Sequence, residues 1–192
     1  MRHAAVLLVL VLLGAAPAAQ DAGRRPIPPD QVQAAVARAD EAIAELQKTL
    51  VGRLKEELGR GGPAAAVTVC RDEAQQLTRS IGERHGLEIG RTSHRVRNPV
   101  NEPRGWARHW IASWAGARAA DAKPATYELD NGRLGVLRPI GTMELCVMCH
   151  GQPEAVEAVI GDVLRESYPD DRATGFAPGD LRGWFWAEVP VN

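Results

Sequence analysis

Cys146-Val147-Met148-Cys149-His150 places two thiols and an imidazole within one short segment. Two cysteines about one helical turn apart can add to the two vinyl groups on one porphyrin edge. The adjacent histidine can then turn onto the iron as an axial ligand. The spacing reads as a C-x-x-C-H attachment motif for haem c, and its single occurrence predicts one covalent haem. Other uses fit less well. A structural zinc site takes four ligands, and a histidine directly beside a cysteine closes a tetrahedron awkwardly. A dithiol redox pair would sit in a thioredoxin-like βαβ pattern, which the sequence lacks.

The remaining cysteine, Cys70 in VTVCRDEA, has no partner once Cys146 and Cys149 are used. An iron held by His150 keeps a second axial position. Cys70, Met143, Met148, His85, His94 and His109 could fill it. Met148 is tethered inside the attachment loop, and Met143 lies too few residues before His150 to reach the opposite face easily. His85, beside Gly86, reads as an exposed helix end, and His109 shares a helix with tryptophans. Cys70 lies on an apolar helical face, where a free cysteine either ligates or simply packs. The porphyrin carboxylates need cations, and arginine pairs with carboxylates bidentately. Arg91, Arg95 and Arg97 in GRTSHRVRNP are the candidates.

The elements that must position these groups are legible from periodicity. Val32, Val36, Ala39, Ile43, Leu46, Leu50, Leu54 and Leu58 recur at spacings of three and four, predicting a helix from Gln31 to about Leu58 after an Asp30 N-cap. The stripe suits packing on its own domain, and pairing with a second copy is the other use of such a face. Glycines 59, 61 and 62 end it. Pro63 opens a second helix to about Arg84, with Cys70, Ala74, Leu77 and Ile81 on one face. Residues 87–93 form a short strand, and RVRNPVNEPRG is irregular. A third helix runs from Pro103 to about Ala117, its Trp106, Trp110 and Trp114 stripe reading as core. TYELDNGRLGVLRPI is a hairpin about a two-residue Asn131-Gly132 turn. A fourth helix spans Pro153–Glu166, YPDDRATGFAPGD is a loop, and RGWFWAEVPV is a final strand. On that strand Trp184 and Phe185 point to opposite faces, so only one can face a haem. Helices with separated strands and a hairpin indicate an α+β domain with an antiparallel sheet.

Residues 1–18 read as a secretory signal: Arg2, an apolar run Ala4–Leu13, and Ala16-Pro17-Ala18 for cleavage. The run is short for a bilayer span, and no later run approaches the ~20 residues one needs. Residues 19–29 are a Pro-rich disordered tether, leaving 30–192 as one domain. Cleavage removes Arg2, one of 23 basic residues, and none of the 24 acidic ones, so the mature net charge is −2. That balance argues against a nucleic-acid role. The expected location is the periplasm, where thioether attachment of haem takes place.

The helix around VTVCRDEA, the block GRTSHRVRNPVNEPRGWA, the motif CVMCHG and the tail YPDDRATGFAPGDLRGWFWAEVP, in this order, resemble the single-haem c-type family with a PAS-like fold. That family was first described in a cyanobacterial protein and recurs as the periplasmic sensor part of histidine kinases and chemoreceptors. The resemblance covers most of the mature chain. It implies a small antiparallel sheet flanked by helices, and an unusual axial pair that falls on His150 and Cys70. The expected function is a redox or small-gas sensor, not an enzyme, in which exchange of Cys70 is read by a redox or signalling partner. The alternative is an electron-transfer cytochrome with fixed ligands. A peroxidase would need an open distal site, with His94 and Arg95 or Arg97 as its polar pair.

Overall fold

The computed structural model describes residues 26–130 and 132–191. The signal segment, most of the tether, and Asn131 lie outside the described residues. The elements, in chain order, are α1 (Pro29–Thr68), a π-helical turn (Val69–Glu73), α2 (Ala74–His85), β1 (Glu88–Thr92), α3 (Arg108–Ser113), β2 (Ala125–Leu129), β3 (Arg133–Gly141), α4 (Val147–His150), α5 (Pro153–Ser167) and β4 (Leu181–Pro190). The strands form one antiparallel sheet in the order β1-β4-β3-β2. The chain is thus α+β, with a long N-terminal helix.

The two expected N-terminal helices run together and meet at a kink. Gly62 has φ 73°, ψ −167°, a conformation that costs glycine little, and Pro63 restarts the helix without needing its missing N–H satisfied. Asp30 lies inside the first turn of α1 instead of capping it, because Pro29, with φ already fixed, opens the helix one residue earlier. Ile27, within the expected tether, packs against the core, and its N–H donates to Glu128 Oε1 at 3.4 Å. The third helix is shorter too. A 3-10 turn at Gly105–Ala107 leads into α3, which stops at Trp114 where the backbone leaves helical geometry. The hairpin loop is one residue longer than a two-residue turn. Leu129 pairs with Arg133 across residues 130–132, and Gly132, at φ 70°, donates its N–H to Leu129 O at 3.2 Å.

Strand β4 lies between β1 and β3, and its side chains alternate as the pleat requires. Phe185, Ala187 and Val189 join Leu134 and Val136 beneath α1, which supplies Ala39, Ile43, Leu46 and Leu50. From Val32 to Leu50 the amphipathic stripe of α1 therefore packs on its own domain. Trp184 faces the other way and is fully buried under α3, with Trp110 and Trp114 each 6.4 Å from it between ring centroids. Trp106, Trp110 and Trp114 are half-buried and pack against the core around Trp184, where their spacing predicts a core stripe. Among the described residues, no helix is long and apolar enough to cross a membrane.

Leu46 is wholly buried at the centre of the α1–sheet contact. Leu46→Ala is expected to cost about 2–5 kcal/mol in urea unfolding, because transfer and cavity terms add there. A loss under about 1 kcal/mol would show that α1 is not anchored by this contact.

Candidate functional site

A cavity of about 400 Å³ opens between the sheet and α1, a size suited to an organic cofactor. Leu50, Leu54 and Leu58 of α1 form one wall, and Phe185, Pro139 and Gly183 of the sheet form the other. Phe185 rather than Trp184 faces this space, so the alternation expected on β4 decides which ring is available.

All three thiols line the cavity, and none is in a disulfide. Cys146 and Cys149 come from the short α4 turn and the 3-10 turn before it. Cys70 comes from the π turn, whose defining bond runs from Ala74 N–H to Val69 O. The extra residue of that turn breaks the 3.6-residue spacing. Ile81 stays in the core, Ala74 borders both core and cavity, and Cys70 lines the cavity. Burial, with Cys70 and Cys146 nearby, pushes the Cys149 thiol up.

His150 also lines the cavity. Its Nδ1 lies 2.7 Å from Ala173 O, and a carbonyl can only accept, so Nδ1 carries the proton. Nε2 has no hydrogen-bond partner among the described residues and is left free to ligate. Burial, then the charges of Arg182 and Arg97, hold His150 well below the usual imidazole range. The residues behind it form a brace. Arg97 Nε donates to Asp171 Oδ2 at 2.9 Å, and its Nη2 donates to Cys149 O at 2.5 Å. Asp171 Oδ1 accepts from Ala173 N–H at 2.7 Å. Phe176 N–H donates to His150 O at 2.9 Å, and Gly175 N–H to Gly151 O at 2.6 Å. The turn-rich loop after α5 therefore fixes the attachment segment from outside.

Arg91, Arg97 and Arg182 bring positive charge to the cavity wall. The Arg91 guanidinium makes no hydrogen bond or ion pair with a described residue. Arg182 Nε is buried and unpartnered, and burial plus the charges of Arg97 and Arg91 push this guanidinium down to about 10. An anion placed between them would relieve both conditions. Arg95 is not on the cavity wall. It stacks on Phe176 at 4.0 Å and donates to Thr174 O at 2.8 Å. Arg182 escapes a reading of the sequence because it sits alone on a strand, away from the arginine-rich block. Its one local signal is an arginine ahead of an apolar run.

Of the other iron-ligand candidates, Met143 and Met148 border the cavity and are exposed. Neither His94, His85 nor His109 lines it. His94 meets the Phe176 ring edge at 6.0 Å. His85 is not the exposed helix end that its neighbour Gly86 suggests, since Nε2 pairs with Glu45 Oε2 of α1 at 2.7 Å. His109 is exposed on α3, which packs on the opposite sheet face. Among the described residues, no group of three or more His, Cys, Asp or Glu side chains could hold a bare metal ion.

These features fit a porphyrin: two free thiols, an imidazole with Nε2 bare, an apolar slot, and the guanidinium groups of Arg91 and Arg182 with no anion among the described residues to meet. The fold and site define an α+β domain built around a cofactor-sized cavity. The chain belongs to the Tll0287-like family, whose model matches residues 28–190. The crystal structure of the cyanobacterial heme-protein Tll0287 has a similar fold, with a TM-score of 0.61 and 23% identity, covering 85% of this chain and 96% of that one. No curated protein matches the chain.

The unfolded imidazole takes up a proton near pH 6.5, whereas folded His150 stays neutral well below that. Acidification therefore draws the cofactor-free chain toward the unfolded state, which then binds more protons. Its urea midpoint should fall between about pH 7.5 and about pH 5.5, and His150→Gln should flatten that fall. An equal slope in the variant would contradict the buried neutral imidazole.

Proposed function

We propose that the chain is a periplasmic protein holding one haem through thioethers at Cys146 and Cys149, with His150 and Cys70 as axial ligands, and that it senses redox state or a small gas. What carries this reading is the convergence of Cys70, distant in sequence, on the cavity that holds the attachment segment. The similar cyanobacterial protein is a heme-protein, which supports the cofactor. The antiparallel sheet with the cavity on one face supports a PAS-like module. Bound there, haem would supply a one-electron iron couple and a coordination position.

The chain's own residues divide the remaining work. The brace from Arg97 through Asp171 and Ala173 holds the imidazole ring in one tautomer and one orientation. Arg91, Arg97 and Arg182 meet the porphyrin carboxylates, and the leucines of α1 exclude water. Cys70 sits on a turn with one residue more than an α-helix needs. Returning that turn to α geometry would rotate Cys70 by about 100° about the helix axis. A ligand carried on such a turn can be withdrawn, which favours sensing over a fixed pair. α1, α2 and α5 would carry the change to a signalling or redox partner.

The second reading is an electron carrier. The exposed Met143 and Met148, 47% and 37% accessible at the cavity edge, favour it as an apolar docking rim. Electron paramagnetic resonance and absorption spectra of protein matured with haem separate the possibilities. Wild type should give a low-spin thiolate signal that Cys70→Ser abolishes. Carbon monoxide or nitric oxide should bind the reduced form if Cys70 leaves, and should not if the ligands are fixed. Cys146→Ala with Cys149→Ala should abolish the covalent mass gain of one haem. Identical wild-type and Cys70→Ser spectra would remove Cys70 from the iron.

A further inference from the structure

The part of α1 between the sheet contact and the Gly62–Pro63 kink is held unlike the rest of the helix. Leu50 is the last α1 residue in the sheet core, and burial resumes only at Ala66 and Val67. No residue from Val51 to Ala65 is buried. Val51, Leu54 and Leu58 nevertheless line the cavity, so this stretch is one of its walls. Its segment VGRLKEELGRGG carries four glycines in twelve residues. Glycine inside a helix weakens it, and a Cβ at Gly52 or Gly59 would meet nothing within 4 Å, so close packing requires neither. The ion pairs of Arg53 with Glu56 and Glu57, and of Arg60 with Glu57, have i,i+3 and i,i+4 spacing and support the helix only modestly. Arg53 also reaches out of the stretch. Its Nε donates to Glu73 Oε2 and its Nη2 to Glu73 Oε1, both at 2.9 Å. Glu73 is the last residue of the π turn that carries Cys70, so a two-pronged pair ties this wall to that turn.

Resting on the porphyrin reading of the cavity, we propose that residues 51–65 are a strap that loosens to admit the cofactor and tightens over it, with Arg53 and Glu73 as its latch. Few buried apolar contacts and a weak helix mark a segment that opens while the core stays folded. Both ends of the strap are anchored, at Leu50 and at Val67, so opening is a loosening of the helix between them. A cofactor against Val51, Leu54 and Leu58 gives these side chains the apolar contact that the sheet core gives Leu46 and Leu50.

The test uses the full chain prepared without haem, with metal-free protoporphyrin IX as the probe. Amide hydrogen exchange in the free chain should be much faster at residues 54–58 than at residues 39–46, and bound porphyrin should slow it at 54–58. Porphyrin uptake, followed by stopped-flow quenching of tryptophan fluorescence, should be about two- to fivefold faster in Arg53→Met, the range for a partly exposed ion pair. Glu73→Gln, which keeps the pairs of Arg53 with Glu56 and Glu57, should do the same. Gly52→Ala with Gly59→Ala stiffens the helix without a clash and should slow both uptake and exchange at 54–58 by about fivefold or more. Exchange at 54–58 as slow as at 39–46 would overturn the proposal. So would wild-type uptake rates in both the latch and the glycine variants. If protoporphyrin does not bind, the porphyrin reading fails and takes the strap's role with it. If it binds and leaves exchange at 54–58 as in the free chain, the strap proposal alone fails.

Discussion

The hydrogen bond from His150 Nδ1 to Ala173 O is the contact on which the site depends. A histidine at the end of a four-residue helix has little local support. Its ring could face solvent or pair with a nearby acid, and either would deny it to a metal. The carbonyl of Ala173 settles the tautomer and leaves Nε2 bare. That carbonyl is itself fixed, since the Ala173 N–H is held by Asp171, and Asp171 by Arg97. Arg97 and Asp171 are almost wholly buried, with side chains 9% and 11% accessible. Removing one member of such a pair leaves an uncompensated charge, which is much costlier than losing a surface pair. The brace is consequently rigid, and rigidity on this side contrasts with the π turn opposite.

That contrast gives the cavity its two characters. On the attachment side, backbone bonds from Gly175 and Phe176 tie the loop after α5 to residues 150 and 151. On the Cys70 side, the thiol rides on a turn with weaker geometry, in a helix restarted at the Gly62–Pro63 kink. The sheet is the common base for both. Its cavity face is built from alternate residues of β3 and β4, while Trp184 and the α3 tryptophans fill the opposite face. A packed rear layer of this kind lets the front layer carry a cavity without losing the fold.

The positive charge in the cavity has a comparable logic. Arg91 and Arg182 are held close together with Asp171 already committed to Arg97. Burial first, then the neighbouring charges, disfavours the charged form of Arg182, and an anion there would offset both. The carboxylates of the proposed porphyrin would be such anions, with the apolar slot at its other end.

Much of this is legible in the chain itself. The C-x-x-C-H spacing on which the cofactor proposal starts is readable because its residues are neighbours in the chain. The 3.6-residue stripe of α1, the period-two alternation of β4 and the Pro63 helix start follow from local geometry, so they can be read directly. The hairpin comes out one residue too tight, since the Asn131-Gly132 signal does not count loop residues. Adjacency groups Arg95 with Arg91 and Arg97, yet the backbone after β1 turns it onto Phe176. Arg182, Asp171 and Ala173 carry little local signal, because their roles come from chain crossings between segments about 20 to 90 residues apart. Local order along the chain thus specifies which chemistry it can hold and which faces are apolar. Which thiol, which arginines and which carbonyl meet in one cavity is set only on folding, because such meetings depend on long-range packing that no local period records.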